Sequence, residues 1–183
     1  MIPAISLKLT ERDVEHLRKV VQTAKSNLGK QSAVDIVNKA KHSIAELDTC
    51  DLPDFINEKL SSLKLLIASI EDEEWQTPVD EREEVLTALA YFIEPQDLVP
   101  DRTPIFGYLD DAIITELALQ DMSLDLEAYS QFCHYRADEE EKHRDISWIN
   151  RSSWIAHQRE ELRAELRRKK FKRVRERLFG NFL

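Results

Sequence analysis

Apolar residues recur along this chain at spacings of three and four, the repeat that lines one face of a helix. Val14, Leu17, Val21, Ala24 and Leu28 make the first such stripe. Thr10 is placed to cap it, Glu11 and Asp13 suit the positive end of its dipole, and Gly29 ends it. Ala33, Val37, Ala40, Ile44 and Leu47 predict a second helix from about Ser32. The short link between the two predicts an antiparallel helical hairpin. Cys50 to Pro53 breaks the pattern. A third helix carries Ile56, Leu60, Leu63, Ile67 and Ile70 and runs into the acidic stretch Glu71-Asp72-Glu73-Glu74. Thr77 and Pro78 form an N-cap and first-turn pair for a fourth helix, which carries Val85, Leu86, Leu89, Phe92 and Ile93 and stops before Pro95.

The one sustained irregular stretch is 94–107, with three of the six prolines and one of the three glycines. It leads into a fifth helix, Tyr108 to about Gln120. There Leu109, Ala112, Ile113, Ile114, Leu117, Ala118 and Leu119 leave almost no polar face, which predicts a central, buried helix. Ser123 is placed to cap a sixth helix that continues past Asp138–Glu141, and a last helix spans roughly Ser147 to Leu178. No strand-like alternation and no internal repeat is evident. The expected fold is all-α: a bundle of six or seven helices with an N-terminal helical hairpin and a long basic C-terminal helix.

Composition agrees with this and limits the chemistry. The chain has 183 residues, of which 42% are apolar and 33% charged, enough for a core and too apolar for disorder. Three glycines argue against turn-dense β folds and against phosphate-cradling loops. Cys50 and Cys133 lack CxxC spacing, so reduced thiols are expected rather than a disulfide or a zinc site. The opening Met-Ile-Pro-Ala-Ile-Ser-Leu-Lys lacks a charged n-region followed by an apolar h-region, so no secretory leader is expected. The longest apolar-rich stretch, Ile105 to Leu119, contains Asp110 and Asp111 and falls short of the roughly 20 residues of a membrane span. A cytoplasmic protein follows as the expectation.

The net charge of −9 divides unevenly. Residues 151–183 carry +7, and the other 150 residues carry −16. The chain is therefore expected to comprise an acidic helical bundle, 1–146, and a basic amphipathic helix, 147–183. Such an asymmetry points to a tail that meets something acidic.

The segment from Tyr91 to Asp111 reads Tyr-Phe-Ile-Glu-Pro-Gln-Asp-Leu-Val-Pro-Asp-Arg-Thr-Pro-Ile-Phe-Gly-Tyr-Leu-Asp-Asp. It resembles the YkvA-like family, a bacterial domain of unknown function. That family's hallmark is Tyr-x-x-x-Pro-x-Asp-Leu-Ile-Pro-Asp followed by Pro-x-x-Gly-x-x-Asp-Asp. Every hallmark position is matched, with Val99 where Ile is commoner. The family element occupies about 85–121 here, and the rest of the chain is not covered by the resemblance. It implies a compact helical element and no established activity.

The residues of that segment admit two readings. Pro95 ends a helix, Asp97 can cap a turn, Pro100 and Pro104 stiffen the loop, Gly107 permits close approach, and Asp110 and Asp111 sit in a helix's first turn. On the second reading, Asp97, Asp101, Asp110 and Asp111 converge on Mg²⁺ or Ca²⁺, which take oxygen ligands, or act as acid and base. The capping reading accounts for each position. Glu140-x-x-His143 has half of a carboxylate-bridged di-iron pattern and lacks its second half, so a solvated helix face is expected there.

In the tail, Trp148, Ile155, Leu162 and Leu166 share one face, while Phe171, Val174, Leu178 and Phe182 lie on another. The last turns must therefore bend or meet a second partner. The candidate interaction residues are Arg167, Arg168, Lys169, Lys170, Phe171, Lys172, Arg173, Arg175, Arg177, Phe179 and Phe182. A protein partner or a homo-oligomer is expected first, a membrane surface second, at the inner face of the membrane. Nucleic acid is disfavoured because the acidic body repels it. The charge division also allows the tail to fold back on the body. The expected function is a non-enzymatic structural or interaction protein without a cofactor. The alternative is a divalent-metal-dependent protein or enzyme built on the four aspartates.

Overall fold

The computed structural model describes residues 31–49, 52, 54–93, 119, 122–143 and 150–179. Among these the chain is all-helical, with α1 at Ala33–Leu47, α2 at Asp54–Glu71, α3 at Val79–Phe92, α4 at Ser123–Lys142 and α5 at Arg151–Phe179. No strand occurs among the described residues. The predicted helix at 10–28 lies outside them, as does the one at 108–120 except for Leu119.

Local chemistry sets the element ends. Ser32 is extended, and its hydroxyl accepts the Asp35 N–H at 3.1 Å, an N-cap bond that starts α1. The α3 start departs slightly from expectation. Its first intrahelical bond runs from Arg82 N–H to the Pro78 carbonyl, while the Thr77 hydroxyl donates to the Ser69 carbonyl at 2.6 Å and ties the link back to α2. Ser123 is not the cap of α4. Met122 holds that position without a side-chain bond, and the Ser123 hydroxyl accepts from Arg173 instead. The last helix is described from Arg151, with the Asn150 carbonyl accepting from Trp154, and the expected start at Ser147 lies outside the described residues.

Two apolar clusters share α2. The first joins Ile36, Val37, Ala40 and Ile44 of α1 to Leu60, Leu63, Leu66 and Ile67 of α2 and to Val85, Leu86 and Leu89 of α3, with Leu119 and Met122 closing it. Burying each large aliphatic side chain there contributes about 1.5–3 kcal/mol. The second gathers Trp75, Ala128, Tyr129, Phe132, Ile155, Leu162 and Leu166, with Leu65 and Ala68 of α2 packed against it. Because α2 packs on α1, α3 and α4, it is the middle helix. Helices α4 and α5 form an antiparallel pair, since Glu140 meets Arg151 near one end and Glu127 meets Lys169 near the other. The apolar stripe Ile155, Leu162 and Leu166 faces this second core, as the spacing predicts.

Candidate interaction surface

The inner face of α5 is built around the link between α2 and α3. Asp72 ends α2, and its Oδ1 accepts the N–H groups of Glu74 and Trp75 at 2.9 and 3.1 Å, forming a tight turn. Its other oxygen accepts from the Tyr129 hydroxyl and pairs with Arg136 at 2.8 Å. Burial pushes the Asp72 carboxyl up, but the Trp75 N–H and the Arg136 guanidinium outweigh it, and the net position is below the usual carboxylate range. The Arg151 guanidinium is the largest influence on Glu74, which is also held low. Trp75 turns inward, with its ring 5.7 Å from Tyr129 and 5.1 Å from Phe132.

Gln76 then adopts φ 52°, the left-handed region, which costs a non-glycine residue about 1 kcal/mol. Arg163 of α5 holds this turn. It is 5% exposed, donates to the Trp75 and Gln76 carbonyls at 2.9 and 2.8 Å, pairs with Glu81 at 3.1 Å, and stacks 4.4 Å from the centre of the Trp75 ring. A planar guanidinium can serve all of these partners at once, whereas an ammonium cannot.

Further along the same face, Lys170 lies 2.6 Å from Asp125, 3.7 Å from Glu81 and 3.9 Å from Glu84. Asp125 is a buried carboxylate paired closely with the Lys170 ammonium. Burial nevertheless leaves Asp125 above the usual carboxylate range. Burial also pushes Lys170 down, but the neighbouring carboxylates, Asp125 first, outweigh it and raise its ammonium. Lys169 pairs with Glu127, and Arg173 donates to Ser123. Of the bases grouped from the sequence as one surface, Lys169, Lys170 and Arg173 thus engage the body of the same chain.

The exposed side of distal α5, which begins at the edge of the inward arc, is different. At 100° per residue, Val174, Leu178 and Phe171 fall about 120°, 160° and 180° around the helix from Leu162. They are 53, 64 and 71% exposed. Arg167, Arg168, Lys172 and Arg175 are exposed around them. Ala164, Arg167, Arg168 and Phe171 line an open depression of about 490 Å³. The helix is continuous from Arg151 to Phe179, so one helix carries both apolar faces.

Asp97, Asp101, Asp110 and Asp111 lie outside the described residues, as do Phe182 and the side chain of Phe179. Among the described residues no group of three or more His, Cys, Asp or Glu is placed to hold a metal ion. Glu140 pairs with Arg151, and His143 lies 3.7 Å from Glu139. Cys133 is a half-buried free thiol. Among the described residues no helix is long and apolar enough to cross a membrane. Neither Trp75 nor Arg163 stands out in the sequence. The available signal was register, since Arg163 and Lys170 follow Leu162 and Leu166 on the inward face.

Residues 84–117 match the family model described as "Protein of unknown function (DUF1232)". The hallmark from Tyr91 to Asp111 falls within that match and agrees with it. The matched stretch opens at Glu84, one of the carboxylates beside Lys170, so an ion pair links α5 to its first turn. No curated protein and no solved structure matches the chain.

Proposed function

From a chain that carries this bacterial YkvA-like element at 84–117, we propose a non-enzymatic helical interaction protein of the cytoplasm that works through the outward face of its basic last helix. We also propose that the complete bundle has six or seven helices, adding 10–28 and 108–120 to the five described. Leu119, buried in the first core, supports the second addition.

One observation carries the functional reading: the division of α5 by face. Its inward bases hold the body together, while Phe171, Val174 and Leu178 stand exposed among bases that point away from it. A soluble helix with no partner favours polar residues on its solvent side, so an apolar ridge there calls for something to cover it. The test compares the full chain with Phe171→Asp/Leu178→Asp by light scattering over a concentration series and by vesicle flotation. The reading predicts association in at least one assay and its loss in the variant, with an unchanged melting temperature. Identical behaviour of the two proteins in both assays overturns it.

A further inference from the structure

We infer that the outward face of distal α5 is a docking surface for an anionic lipid bilayer. The inference rests on the interaction reading above and names its partner.

Three features select that partner. The first is the size and shape of the apolar part. A specific protein–protein interface covers about 800 Å² on each side. Three exposed apolar side chains on a convex helix offer far less, but they suffice for shallow insertion at a headgroup boundary when bases assist. The second feature is charge. Arg167, Arg168, Lys172 and Arg175 surround the ridge, and the one acid on this stretch, Glu176, lies 3.8 Å from Lys172. A second copy presenting the same face would set like charges against each other, which disfavours a symmetric dimer through it. Lipid phosphates complement it, and two arginines, Arg167 and Arg168, line the depression beside Phe171.

The third feature is the rest of the molecule. The 150 residues before Arg151 carry −16, so an anionic surface repels every approach except one led by α5. Screening limits that repulsion to a distance of about 8 Å at physiological salt. The charge division thus orients the chain with α5 against the bilayer and the acidic body outward. Long basic side chains can lie along the apolar ridge while their charged ends reach the headgroups. Duplex nucleic acid would use the bases but leave Phe171, Val174 and Leu178 without a purpose.

The test is flotation of the full-length protein with vesicles of equal parts phosphatidylglycerol and phosphatidylcholine, against vesicles of phosphatidylcholine alone, at low and physiological salt. Binding is expected to the anionic vesicles only, and to weaken with salt. Arg167→Gln, Arg168→Gln and Arg175→Gln should each weaken it about fivefold. Phe171→Ser should weaken it at least about tenfold. Lys41→Gln, on the far α1 surface, should not. The proposal is overturned by failure to float with anionic vesicles, by flotation that these substitutions leave unchanged, or by binding to a DNA duplex that is as tight and indifferent to Phe171→Ser. If vesicle binding is absent but self-association is lost in Phe171→Asp/Leu178→Asp, the bilayer is wrong and the interaction reading stands. If neither form of association is seen, both fall.

Discussion

The two faces of α5 are made from the same residue types and have opposite fates. On the inner face, Arg163 serves two carbonyls, a carboxylate and an indole ring, and Lys170 sits among three acids. On the outer face, Arg167, Arg168 and Arg175 are exposed around an apolar ridge. The difference shows that net charge alone is a poor guide to what a basic helix does. A guanidinium taken out of water becomes part of the fold, because its removal would leave buried acceptors without their donor. A guanidinium left in water contributes little to stability and remains available to a partner.

Substitutions can test that contrast, and the largest effect should come from the core under α5. Phe132 is fully buried beside Trp75, so Phe132→Ala should lose about 4 kcal/mol, read from denaturant unfolding. Lys170→Gln should follow, at about 2 kcal/mol, because Asp125 then stays buried without a cation. Persistence of wild-type stability in Lys170→Gln would show that the inner bases are not structural.

Asp72→Asn should cost on the order of 1 kcal/mol at neutral pH, and it should also change the acid limb. The Asp72 and Glu74 carboxyls sit below their usual range in the folded state, so their contribution is present above that range. It is lost as pH falls through it, toward pH 4 and below. Asp125, held above its range by burial, works the other way: its penalty at neutral pH is relieved as the group protonates. The Asn variant should therefore lose stability less steeply on acidification, and an acid limb as steep as that of the parent chain would contradict the role of Asp72. The smallest effect belongs to the outer face. Phe171→Ser should leave the melting temperature unchanged while altering association.

The helices were legible in the sequence because a buried stripe repeats locally. Val37, Ala40 and Ile44 are where the spacing predicts them. Ile36, the most buried large residue of α1, lies off the predicted stripe because α1 packs against both α2 and α3 and buries a wider arc than one stripe. The clamp on the link was not legible for a different reason. Arg163 and Trp75 are 88 residues apart, and in isolation an arginine on a charged helix reads as a solvent residue. The left-handed Gln76 carries no glycine to announce it. The outer ridge was legible, since Phe171, Val174 and Leu178 shift away from the stripe that ends at Leu166, and the structure leaves them exposed. The aspartates from Asp97 to Asp111 suit helix caps or metal ligands by sequence, and they lie outside the described residues.

The most direct test of the division compares two arginines four residues apart, about 40° apart around the helix, of which Arg163 is buried against the link and Arg167 is exposed just beyond it. Thermal unfolding of Arg163→Gln and Arg167→Gln at neutral pH should separate them. The first should melt about 5–10 °C below the parent chain, and the second should melt with it. Equal shifts for the two would contradict the account, because the faces of α5 would then be doing the same work.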